Sequence, residues 1–153
     1  MILGKLLGFA AILAFTVGAL PAYAAITAPE VARALEARGH HATVGRDDDG
    51  DPKVTSSVDG VHLAVFFYGC NHTTRCSSIT FQSAFHVDGG VPLTKVNGWN
   101  RDKRFLKTWL DKVNDPYCEM DVDGDLGLTA SQLQSAVMLW ESHLAEYKGY
   151  MDF

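Results

Sequence analysis

The sequence predicts an α+β fold: a two-layer sandwich with a five-stranded antiparallel sheet, helices packed on one face, in the order α-β-β-β-β-α-β-α. Three observations carry this. From Val61 to Val87, apolar residues recur at every second position: Val61, Leu63, Val65 and Phe67, then Ile79, Phe81, Phe85 and Val87, with Ser83 the weak position. That period marks a half-buried antiparallel pair. Asp47 to Pro52 and Asp59-Gly60 are turn sequences between further short apolar runs, which makes a meander of four strands. Thr-x-x-Glu at Thr27 and Thr-x-x-Gln at Thr129 are capping boxes opening helical segments.

Taken in order, the first 24 residues read as a leader. Lys5 supplies a positive start, Leu6 to Leu20 is apolar, Pro21 breaks the run, and Ala22-Tyr23-Ala24 is an A-x-A cleavage site. The run is short for a span of about 20 residues. Cleavage after Ala24 would leave residues 25–153 as a single domain. It removes one positive charge and no acid, taking the net charge from −5 to −6. Such a balance disfavours nucleic acid as a partner, because neutralising phosphates needs positive surface. No later run is apolar enough to span a membrane. The expected location is periplasmic or secreted.

The first helix starts at Thr27, tolerates Pro29 in its first turn, carries Val31, Ala34 and Leu35, and stops at Gly39. His41 to Arg46 and Lys53 to Val58 are the first two strands, and the Val61–Val87 hairpin supplies the next two. Thr94 to Val113 reads as a helix with Phe105, Leu106, Trp109, Leu110 and Val113 on one side. Gly98 and Asp102 disturb its early part, so a second helical piece capped by Asn100 is an alternative. Tyr117 to Asp123 alternates Cys118, Met120 and Val122 against Glu119, Asp121 and Asp123, which gives a fifth strand with an acidic outer side. The last helix carries Leu133, Val137, Trp140, Leu144 and Tyr147, with Gly149 as its expected end.

Three cysteines make one pair and one remainder. An exported chain permits disulfides, and Cys70 and Cys76 flank a five-residue strand connection. Closing it contributes on the order of 2–3 kcal/mol in the chain-entropy model. Cys118 is expected to be a buried thiol.

The residues name no reaction. There is no Gly-x-Ser-x-Gly and no Cys-x-x-Cys, and the six histidines are scattered. Asp121, Asp123 and Asp125 resemble the start of a calcium loop, but Leu126 stands at the sixth position and Gln132 at the twelfth, where calcium needs glycine and a bidentate glutamate. A solvated strand face is the favoured reading, as it is for Asp47 to Asp51. Cys70, His72 and Cys76, with His62 and His86 on neighbouring strands, form a second metal candidate, for zinc, at a spacing wider than zinc sites use. No cofactor is called for. Arg101, Lys103, Arg104 and Lys107 are either the solvated face of a helix or a docking surface for an acidic partner. Trp109 and Trp140 have core spacing. Trp99 belongs either to the core at a helix kink or to an exposed recognition patch with Asn97, Asn100, Arg101 and Arg104.

Gly50-Asp51-Pro52, Gly69-Cys70 with Cys76, Val96-Asn97 with Trp99-Asn100, Arg104-Phe105, and the acidic strand before a final amphipathic helix form an ordered set. In this set the chain resembles the YbjN-domain proteins, bacterial sensory transduction regulators, over about Thr27 to Tyr147. The resemblance implies an α+β sandwich similar to type III secretion chaperones and a non-catalytic role in regulation or in stress and surface behaviour. It supplies no catalytic residues. The leader departs from the cytoplasmic members and argues against direct transcriptional or cytosolic regulation. The expected function is a periplasmic interaction module that binds a protein partner through its sheet or a helix–sheet groove. The alternative is a calcium- or zinc-responsive binding protein.

Overall fold

The computed structural model describes residues 25–71 and 74–153; the proposed leader and His72 lie outside them. Within them, α1 is Ala28–Glu36, β1 Ala42–Arg46, β2 Pro52–Val58, β3 Val61–Tyr68, β4 Ser78–Ala84, α2 Leu93–Asp102, β5 Lys107–Leu110, β6 Pro116–Asp123 and α3 Ala130–Met151. All six strands pair antiparallel in one sheet, in the order β1-β2-β3-β4-β6-β5. The α+β class is as the sequence predicts, with one strand more than expected.

Both capping boxes form. The Glu30 carboxylate accepts from the Thr27 backbone N–H and hydroxyl at 3.0 and 2.6 Å. Thr129 Oγ accepts from the Gln132 N–H at 3.2 Å while Gln132 Oε1 accepts from the Thr129 N–H at 2.8 Å. These bonds satisfy N–H groups that a helix start leaves without partners. After α1 the chain turns at Gly39, which sits at φ 88°, in a left-handed conformation that costs glycine little. The final helix runs past Gly149 to Met151 and ends where Asp152 turns left-handed, because nothing about Gly149 forces a stop there.

The helices cover one face of the sheet. Val54, Val65, Phe81 and Met120 stand in register across β2, β3, β4 and β6, and all are buried. The Trp140 ring of α3 lies 5.8 Å from Phe81, and α1 packs on α3 and the β1–β2 end of the sheet. Arg38 and His40, just beyond α1, both hold Glu141 of α3, at 2.8 and 2.7 Å.

The segment expected as one helix, or as two helical pieces, is a helix followed by a strand. The α2 helix stops at Asp102, the chain crosses to the sheet edge, and β5 pairs with β6. The reason is a set of bonds a helix could not make. Asn100 brackets Thr108, accepting from its N–H and donating to its C=O, each at 2.9 Å. The buried Thr108 hydroxyl donates to the Tyr117 carbonyl at 2.7 Å and meets the Tyr147 hydroxyl at 2.7 Å. Asn100 therefore anchors β5 instead of capping a helix. Phe105, at φ 68°, Trp109 and Val113 are exposed, against the expected apolar helix face.

Cys70 and Cys76 are joined by a disulfide. The fully buried Cys76 also exchanges both backbone hydrogen bonds with Ile26, at 2.9 and 3.0 Å, which holds the segment leading into α1. Cys118 is a free buried thiol, and burial pushes its pKa up to about 12, far from the thiolate needed for reactivity.

Beyond β4, the Asp115 carboxylate accepts from the Val87 N–H at 2.9 Å and contacts the His86 ring at 2.8 Å. The Asp115 bond is the main reason His86 is raised above 6.5, and His86 is the main reason Asp115 is lowered below 3.8; both shifts describe one interaction. A raised histidine stabilises the fold fully below 6.5 and loses that contribution as pH rises through its raised value. A lowered carboxylate stabilises above 3.8 and loses it as pH falls. The pair therefore contributes most between those two values. Thermal melts of His86→Ala should lie below the native curve at pH 5.5 and approach it at pH 8.5. An equal gap at both pH values would refute the assignment. His86 is largely exposed, so the gap is small.

Candidate interaction surface

Strand alternation places a second set of side chains on the face away from the helices. Register gives four rows. Tyr68, Ser78 and Asp123 form one; Lys53, Phe66, Thr80 and Asp121 the next. Ala64, Gln82, Glu119 and Lys107 follow, and Ala84, Tyr117 and Trp109 close the set. At the centre Ala64 and Thr80 are small and buried. Aromatic side chains stand in the first and last rows, with Tyr68 50% exposed and Trp109 39% exposed.

Contacts organise the polar groups between them. Trp109 stacks on Tyr117, with centroids 4.3 Å apart and planes 13° from parallel, and its indole N–H donates to Glu119 at 2.8 Å. Lys107 Nζ lies 3.0 Å from Asp121 and 3.6 Å from Glu119. Thr80 donates to Asp121 at 2.6 Å. Lys53 Nζ sits 4.9 Å from the centroid of Phe66, a cation over an aromatic ring.

The titrating groups report the local field. Tyr68 is raised, first by burial and then by the charges of Glu119, Asp121 and Asp47. Lys107 is raised chiefly by its hydrogen bond to Asp121. Burial pushes Asp121 up, but the Thr80 and Lys107 hydrogen bonds and the Lys107 charge outweigh it, so the carboxyl is lowered. Lys107, held charged by the carboxylates beside it, indicates negative potential there, whereas for Tyr68 burial comes first and the carboxylates only add to it.

The residues singled out from the sequence do not converge here. Trp99 is fully buried: its indole N–H donates to the Leu106 carbonyl at 2.7 Å and its ring meets Tyr147 edge-on at 5.0 Å. It is core, not a surface anchor, because a large apolar ring with a satisfied N–H gains more inside than out. Asn100 is engaged by Thr108. Asn97 stays exposed on α2. Arg101 pairs with Asp102 at 2.7 Å, Lys103 with Glu146 at 2.5 Å, and exposed Arg104 lies over the Phe105 ring at 4.8 Å. The basic stretch is thus largely neutralised within the chain.

The metal candidates separate as well. Asp121 is held by Thr80 and Lys107, and Asp123 accepts from the Asp125 N–H at 3.1 Å. Among the described residues no three His, Cys, Asp or Glu side chains gather as a metal site. The disulfide leaves Cys70 and Cys76 without the thiolates zinc would need.

The family model YbjN, "Putative bacterial sensory transduction regulator", matches residues 27–153. The chain belongs to the YbjN family. No curated protein and no solved structure matches it. For a YbjN-family chain the regulator description is the functional frame, and the matched region contains every strand and helix described above. Sequence reasoning missed Tyr68, Trp109 and Tyr117 as members of one surface. The signal was present for Tyr68, which continues the alternation of His62, Ala64 and Phe66 opposite the core positions. For Trp109 it was hidden by the helical spacing of the same stretch.

Proposed function

We propose that this YbjN-family protein is an exported, non-catalytic regulator that works by binding a protein partner on the uncovered face of its sheet. The observation that carries the reading is the asymmetry of the two layers. Three helices cover one face, while the opposite face holds Tyr68 and Trp109 exposed, on β3 and β5, in the first and last of its four rows. Exposed aromatic rings beside polar groups suit protein recognition, where tyrosine and tryptophan are enriched among the few residues that carry most of the binding energy. Export is supported by the Lys5–Ala24 leader pattern and is compatible with the disulfide.

A photo-crosslinking side chain placed at Gln82, on this face, should give discrete adducts in cells, and one placed at Ser135 on α3 should not. Equal patterns from both sites, or none from Gln82, would refute the surface. Intact mass of the exported protein should start at Ala25, with one cysteine alkylated in the absence of reductant. A mass retaining residues 1–24 would refute cleavage.

A further inference from the structure

The rows of the open face repeat one chemistry. In the Phe66 row the chain supplies its own cations: Lys53 of that row sits over the ring, and Lys107 reaches Asp121 from the neighbouring row. The adjacent row has the same plan, with an aromatic ring on β3, a small hydroxyl on β4 and a carboxylate on β6, as Tyr68, Ser78 and Asp123. Two strand spacings separate its ends, about 10 Å. Among the described residues, no lysine or arginine forms an ion pair with Asp123 or lies over Tyr68. The negative charge of Asp47, in the β1–β2 turn, also reaches the Tyr68 phenol.

We propose that the partner segment bound on this face is cationic, and that it seats a lysine or arginine side chain on the Tyr68 ring beside the Asp123 carboxylate. This rests on the docking reading above and specifies its partner. The argument is charge complementarity: in the strand rows of this face Glu119, Asp121 and Asp123 stand against two lysines, Lys53 and Lys107, with Asp47 adding negative charge from the adjoining turn, and the chain's net charge is −5 before and −6 after the proposed cleavage. An acidic chain steers cationic segments towards it. The ring then holds the ammonium or guanidinium group at short range, and the Asp123 carboxylate across the row adds its attraction.

The test uses the purified, disulfide-intact protein and two probes: a blocked peptide alternating serine and lysine, and its serine–glutamate counterpart. Amide shifts in two-dimensional NMR should appear at Tyr68, Ser78 and Asp123 with the lysine peptide only. Tyr68→Leu and Asp123→Asn should each weaken binding about fivefold, the scale of one cation–π or surface ion-pair contact. Tyr68→Phe should retain it, since the ring survives, and also controls for folding. Equal binding of the glutamate peptide, shifts confined to other surfaces, or full affinity in Tyr68→Leu would overturn the proposal. Adducts from Gln82 without binding of the lysine peptide would overturn the cationic partner while leaving the docking surface standing. Absence of Gln82 adducts would remove the surface itself.

Discussion

Replacing Trp99 by alanine should lower stability by about 3–5 kcal/mol, as removal of a fully buried tryptophan generally does. That is a large share of the 5–15 kcal/mol typical of a domain. The indole fills the space between α2, β5 and α3, meeting Tyr147 and Tyr150 edge-on at 5.0 and 5.3 Å and donating to Leu106. Truncation leaves a cavity and an unsatisfied carbonyl together. Urea titration measures the loss directly. Arg101→Ala and Asn97→Ala, nearby on the same helix but exposed, should change stability by no more than about 0.5 kcal/mol. Trp99→Phe and Trp140→Phe offer a finer comparison. The Trp140 indole N–H is buried with no hydrogen-bond partner among the described residues, so only the Trp99 change sacrifices a bond. The Trp99 substitution should therefore cost more, by about 1 kcal/mol. A Trp99→Ala protein of native stability would return this residue to the surface.

The second large effect is expected from the disulfide. Cys70→Ser with Cys76→Ser should cost about 2–3 kcal/mol by loop-closure entropy, lowering the melting temperature by about 3–5 °C per kcal/mol at this chain length. The damage should spread beyond the loop. Cys76 is fully buried and pairs with Ile26, so hydrogen exchange should rise in residues 26–36 as well as around the loop. Adding a dithiol reductant to the native protein should reproduce the shift, while Cys118→Ala should remain reductant-insensitive only if it also carries the double substitution. An unchanged melting temperature in reductant would show that the bridge stabilises nothing.

Much of the fold was legible because its signals are local. Alternation in Val61–Phe67 and Tyr117–Asp123 is imposed by the pleat, and the capping boxes at Thr27 and Thr129 act within four residues. The β5 strand was not legible. Its four residues, Lys107 to Leu110, are too few to display a period, and Leu106, Trp109 and Leu110 also fit a helical stripe. Thr108 decides the matter through partners at Asn100, Tyr117 and Tyr147, up to 39 residues away. Of the two readings open for Trp99, core or surface patch, the structure takes the core one, for a related reason. Sequence identifies an aromatic residue beside polar ones, but the direction of its ring depends on which neighbouring element has space for it.

By itself the sequence determined the α+β class, the Cys70–Cys76 pairing, the acidic side of β6 and the family. Each depends on residue type and spacing along a few adjacent positions. Only the tertiary structure decided that β6 lies between β4 and β5, that Trp99 is core while Trp109 is exposed, and that Tyr68 shares a row with Asp123. Those are consequences of long-range pairing, in which distant segments compete for the same sheet edge and the same buried volume. The winner is set by the sum of hydrogen bonds and packing across the whole layer, a quantity no short window of sequence contains.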